Sequence, residues 1–198
     1  MSLLLETIRI HNRCLEKIEC HNERFNRSRY ELFGAQEPVD LNEIIEIPVT
    51  LDTGIYKCRL IYSDKIHNIE FLPYRVKHVR TLKIVAGDHI DYSYKYLDRS
   101  CFKRLMEGSP ADDILIIQKG LITDTSFSNI AFTDGEKWLT PSTPLLNGTR
   151  RMALIREGKV VVEEIKKEDL KFFQFAKLMN AMLDWEESPL IPLDKMLP

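Results

Sequence analysis

The chain has 198 residues, 44% of them apolar and 29% charged, which is enough to bury a core as one large or two small domains. Its net charge of −2 supplies no basic field of the kind that marks nucleic acid or an anionic membrane surface as the partner, so a small-molecule ligand is expected. Glu6 and Arg9 interrupt the opening leucine run before an export signal or a spanning helix could form, and the protein is assigned to the cytoplasm.

Taken in order, Leu3–Ile10 alternates and predicts a strand. Leu15, Ile18, Phe25 and Leu32 recur among charges with Gly34 behind them, which predicts a helix over Leu15–Phe33 stopped by that glycine. Asp40 begins a second helical stretch that ends near Pro48. Tyr56–Ser63, Ile69–Phe71 and Thr81–Val85 are β-branched and aromatic between turn signals and predict an antiparallel meander. A helix is expected over Asp98–Met106. Strands are expected at Asp113–Gln118, Ile130–Thr133, Trp138–Thr140 and Val160–Ile165, with Asp134-Gly135 as a tight turn. Arg150–Arg156 predicts a short helix, and Pro189, Pro192 and Pro198 argue against a long terminal one. The fold class is therefore α+β in two domains: 1–88, a small α+β domain, and 89–198, a larger sheet-rich domain.

Cys14, Cys20, Cys58 and Cys101 form no C-x-x-C pair and are expected to be reduced thiols. No cluster has the spacing of metal ligands, so no metal is expected. The segment Leu146-Asn147-Gly148-Thr149-Arg150-Arg151 is a glycine turn feeding a helix start. The backbone NH groups and dipole of such a start suit a phosphate, although a plain turn has the same sequence form. Lys95 sits among Tyr92, Tyr94 and Tyr96. A half-buried amine there is either a nucleophile with a depressed pKa or a lysine whose stem packs on tyrosines. Asp124 follows an apolar strand among hydroxyl residues and either pairs with a cationic ring nitrogen or caps a turn. His21 and Arg24 share a helix face, which for charged residues is ordinarily a solvated one.

These segments occur together in the order of one family. Glu6-Thr7-Ile8-Arg9 followed by Leu15, His21 and Arg24 resembles the F-E-T-I-R and L-x-x-H-x-x-R opening of class IV aminotransferases and 4-amino-4-deoxychorismate lyases. Lys95-Tyr96-Leu97-Asp98-Arg99 is similar to K-x-L-N-R. The run from Gly120 through Asp124 to Ser128-Asn129 is similar to G-x-x-x-E-x-x-x-S-N, with aspartate in place of glutamate. Thr140-Pro141, Gly148-Thr149-Arg150-Arg151 and Asn180-Ala181 resemble the later T-P, G-I-T-R and N-A-L elements.

The resemblance implies a fold type IV enzyme of the D-amino acid aminotransferase kind, with pyridoxal 5'-phosphate (PLP) as cofactor. It implies that Lys95, in the second domain, forms the Schiff base and moves the proton, and that Asp124 bonds the pyridine nitrogen. Arg24, Gly148, Thr149, Arg150 and the Asn180-Ala181 turn would hold the phosphate, and Leu146 would pack on the ring. Arg150 stands where the family has a threonine. The family also has a further stretch with a G-D-G turn before F-E-T-I-R, so a shortened first domain is expected. Two reactions fit. The first is elimination of pyruvate from aminodeoxychorismate to give 4-aminobenzoate for folate synthesis, favoured by the K-x-L-x-R and Asn180-Ala181 forms. The second is amino-group transfer of the branched-chain or D-amino acid type to a 2-oxo acid, for which Arg59, Arg75 and Arg80 are candidate carboxylate ligands. A non-catalytic shortened paralogue is a third reading. A homodimer is expected, with neither nucleic acid nor membrane as partner.

Overall fold

A computed structural model describes residues 2–197. Pro198, one of the prolines invoked against a terminal helix, lies outside them. The chain divides into two compact units, Met1–Val76 with Tyr94–Asp98 and Lys77–Ser93 with Arg99–Pro198. The division is thus not a single cut near residue 88: Tyr94–Asp98, with Lys95, belongs by contact to the first unit.

In the first unit a four-stranded antiparallel sheet has the order β2-β1-β3-β4, from β1 (Leu4–His11), β2 (Cys14–Leu15), β3 (Ile55–Tyr62) and β4 (Ile66–Pro73). The helix α1 runs Ile18–Phe33 rather than from Leu15. Leu15 pairs with Ile10 in the sheet, and Lys17 at φ 53 is left-handed, which no helical residue can be. Gly34 ends α1 at φ 70, its NH bonded to Tyr30 O at 3.0 Å. The second helix, α2, is a single turn, Leu41–Ile44, whose Asp40 cap accepts from Asn42 N at 2.9 Å. Leu4, Ile8 and Ile10 of β1, Phe25 of α1, and Cys58, Leu60 and Tyr62 of β3 close the core.

The second unit holds two sheets. One has the order β13-β5-β6-β7, from β5 (Leu82–Ala86), β6 (Asp113–Gln118), β7 (Leu121–Thr125) and β13 (Met196–Leu197). The other has the order β10-β9-β8-β11-β12, from β8 (Asn129–Thr133), β9 (Trp138–Pro141), β10 (Val161–Glu163), β11 (Phe175–Met179) and β12 (Ile191–Pro192). The expected meander is therefore wrong at its third member: β5 leaves the first sheet and pairs in parallel with β6. Burial of every β6 residue from Asp113 to Ile117 explains the choice, because a strand covered on both faces suits a parallel partner. The helix α3 spans Ser100–Met106 and α4 spans Thr149–Arg156. Ile130 and Phe132 of β8 enter one core with Leu115, Ile122 and Leu178, while Ala131 on the opposite face packs with Leu154 of α4. This alternation puts Asn129 on the α4 side of the sheet. Among the described residues no helix is long and apolar enough to cross a membrane, and no group of three or more metal-binding side chains occurs. All four cysteines are free thiols.

Candidate active site

Lys95 is half-buried and its backbone is fastened to β1. Lys95 O accepts from Leu5 N at 2.9 Å, Tyr96 bridges Leu4, and Leu97 N donates to Leu3 O at 2.8 Å. A short strand edge thus holds the lysine one residue from Glu6 in the register.

Glu6 lies on the same face of β1 as Leu4, Ile8 and Ile10 and so points its carboxylate into an apolar core, where a lone charge would be costly. It is paired. Arg24 donates from Nε to Oε1 at 2.8 Å and from Nη2 to Oε2 at 2.6 Å, and His21 Nδ1 lies 2.6 Å from Oε2. Exposures of 0% for Glu6, 1% for His21 and 3% for Arg24 make this a buried cluster, not the solvated face expected of His21 and Arg24. Burial alone would raise the Glu6 pKa, but the charge and hydrogen bonds of Arg24, with those of His21, hold it at about 2. An ionised carboxylate only accepts, so His21 Nδ1 carries the proton of that bond. Burial pushes the His21 pKa down; Glu6 opposes this, and the charges of Arg24 and Lys95 add to it.

In the second unit Asp124 stands at the end of β7, two residues beyond Ile122, and is 5% exposed. Asn129 Nδ2 donates to its Oδ1 at 2.7 Å and Leu146 N to its Oδ2 at 3.0 Å. The same Asn129 amide donates to Leu146 O at 2.8 Å. Burial raises the Asp124 pKa to about 6 despite these donors and the nearby charge of Arg151. Gly148 makes this packing possible, since a Cβ there would lie 2.0 Å from Asn129 Oδ1. As the residue capping α4, Gly148 also brings no side chain to its first turn, where Thr149, Arg150 and Arg151 are all buried. Arg151 is locked by bonds to Pro141 O at 2.8 Å and Asn147 Oδ1 at 3.0 Å. Asn180 donates to Ser128 Oγ at 2.9 Å and accepts from Met182 N at 2.9 Å, which shapes the turn containing Ala181.

Of the expected site residues, Asp124, Leu146, Gly148, Thr149 and Arg150 gather at β7 and the α4 start, with Asn180 joined to them through Ser128. Lys95 and Arg24 belong to the first unit with Glu6 and His21. Arg59 is engaged by Glu70 across β3 and β4, and Arg75 and Arg80 are exposed. Sequence reasoning assigned no role to Glu6, Asn129 or Arg151. The signal for Glu6 was present: a carboxylate on the apolar side of an alternating strand requires a buried partner.

The donor set suits PLP. A buried carboxylate held near 6 gains from a cationic N–H, and a helix start without a capping side chain favours a phosphate. The fold and these groups define the fold type IV class of PLP enzymes. The family model for amino-transferase class IV matches residues 93–186. An uncharacterized protein of Haemophilus influenzae is 38% identical over 182 residues, covering 90% of this chain and 97% of that one. A Haemophilus somnus 129PT protein provisionally named a 4-amino-4-deoxychorismate lyase is 34% identical, with a TM-score of 0.84 over 92% of this chain and 97% of its own. A hypothetical aminotransferase of Mycobacterium tuberculosis in its PLP-bound form shares the fold at 18% identity and a TM-score of 0.76, covering 96% of this chain and 80% of that one. The chain belongs to the class IV aminotransferase family, whose cofactor is PLP.

Proposed function

We propose that this protein is a 4-amino-4-deoxychorismate lyase, eliminating pyruvate from aminodeoxychorismate to leave 4-aminobenzoate for folate synthesis. The observation that carries the choice of reaction is the likeness, 34% identical over 92% of the chain, to the Haemophilus somnus protein with that provisional name. Use of PLP is supported by the buried Asp124, whose raised pKa gives it a need for a cationic partner.

When bound, PLP supplies an electron sink for the substrate carbon that loses its proton. Lys95 would be the amine that holds the cofactor's aldehyde and the base that moves that proton. Asp124, oriented by Asn129 and Leu146 N, would keep the ring nitrogen protonated. Gly148, Thr149, Arg150 and the Asn180-Ala181 turn, with Arg24, would hold the phosphate, and Leu146 would pack on the ring. Such contacts would bind and orient alike throughout the reaction, leaving the rate to Lys95 and Asp124. Once that proton is lost, the C–O bond to the enolpyruvyl group would break and the ring become aromatic; the released enolpyruvate takes up a proton to become pyruvate, so no second substrate is needed. The protein is taken to act as a cytoplasmic homodimer; a light-scattering mass near twice 23.2 kDa checks the dimer.

The test has two stages. Added PLP should give a visible band that borohydride fixes onto the protein. Release of 4-aminobenzoate and pyruvate from aminodeoxychorismate is then compared with transfer from a panel of amino donors to 2-oxoglutarate. Transfer without pyruvate release would make the protein an aminotransferase, and PLP binding without either reaction would make it a non-catalytic relative.

A further inference from the structure

We propose that Glu6 and His21 are positioning residues that fix the guanidinium of Arg24 for its grip on an anionic phosphate ester. The inference rests on the reading of Arg24 as a phosphate ligand and extends it to Glu6, which bonds Arg24, and His21, which bonds Glu6.

The geometry is specific. Glu6 takes both Nε and Nη2 of Arg24, a two-point clasp that sets the plane of the guanidinium as well as its place. Any anion held by Arg24 must therefore meet it along the Nη1 edge. Oε2 of Glu6 serves His21 and Arg24 together, each at 2.6 Å, so rotating the carboxylate to loosen one partner breaks the other. The carboxylate is set from β1 and both partners come from α1, three residues apart on one face. Tyr62 of β3 is buried on the same core face and feels the charges of Glu6 and Arg24.

A cluster serving only to join α1 to β1 would have no use for a bidentate cation. Apolar residues of similar volume often fill such positions at equal or better stability. Arginine held in one plane is the form in which a cation recognises a tetrahedral oxyanion by direction as well as charge.

The experiment compares pyridoxine 5'-phosphate with pyridoxine. The two differ only in the phosphate, and neither has an aldehyde, so Lys95 cannot condense with them. Affinities are measured by isothermal titration, directly for the ester and by displacement for pyridoxine. The variants are H21N and Glu6→Asp, which keeps the charge but is one methylene too short to span both partners. Glu6→Gln is added where it folds.

In the wild type the ester should bind much more tightly. In the variants the ratio of the two affinities should shrink about tenfold, as expected when a charge-assisted hydrogen bond is lost, while pyridoxine itself binds as before. Equal weakening of both ligands, or a ratio unchanged in folded variants, overturns the inference alone. A wild type that does not prefer the ester overturns the reading of Arg24, and the inference with it.

Discussion

Replacing Asp124 with asparagine removes the charge whose burial raises the pKa from 3.8 to about 6. The shift corresponds to about 3 kcal/mol against the ionised form in the cofactor-free protein. Because the folded value lies above the unfolded one, the folded state binds more protons between 3.8 and about 6, and stability falls as pH rises through that window. Asparagine has a fixed cost of its own: it turns an NH2 toward Asn129 Nδ2 or Leu146 N, where the carboxylate accepts from both. That mismatch costs about 1–3 kcal/mol and does not vary with pH. The informative quantity is therefore the stability of the wild type minus that of D124N, followed by urea unfolding without cofactor. Between pH 4 and 7 it should fall by about 2 kcal/mol, since part of the titration is complete below pH 4. Glu6, lowered from 4.5 to about 2, is common to both proteins, so its contribution cancels in the difference. Saturating PLP should flatten the difference by giving the carboxylate a cationic partner. A difference constant from pH 4 to 7 without cofactor would refute the reasoning.

Gly148→Ala should cost about 1–3 kcal/mol through overpacking. Its backbone φ of −70° suits alanine, but the new methyl meets Asn129 Oδ1 at 2.0 Å and the amide cannot turn without releasing Asp124 or Leu146; an unchanged urea midpoint and PLP affinity would contradict this. Lys95→Ala should retain some PLP while losing both the visible band of the lysine-bound cofactor and turnover, so normal turnover in that variant refutes the assignment. Glu6 should make the protein acid-labile: its stabilisation, about 3 kcal/mol, is complete above its unfolded value of 4.5 and is lost as pH falls through about 2. Glu6→Gln strands the buried Arg24 and should cost about 3–5 kcal/mol at neutral pH; acid titration should then show wild type and variant converging below pH 4.5.

Local signals were the legible ones. Alternation in β1, the glycine behind α1 and the Asp134-Gly135 turn between β8 and β9 each depend on residues close in sequence, and the elements stand where these signals put them. Pairing was not legible. β11, Phe175–Met179, was missed because Lys177 interrupts a short apolar run, and its place beside β8 depends on residues more than forty positions earlier. The switch of β5 into a parallel pair has the same origin: alternation reports which face is apolar, not which strand lies alongside. At the site, the order of motifs singled out Lys95, Asp124 and Gly148, whereas the amide of Asn129 filling the space above Gly148 is a three-dimensional fit that no spacing encodes.

The ladder that joins residues 95–97 to 3–5 bears on how this protein could be cut or recombined. The chain passes between its units at 76/77, 93/94 and 98/99, and the family-defining stretch, 93–186, carries the lysine without the strand that supports it. A gene fragment encoding that stretch alone would express Lys95 with no template beneath it. Shuffling such fragments among relatives would succeed only where the first dozen codons travel with them.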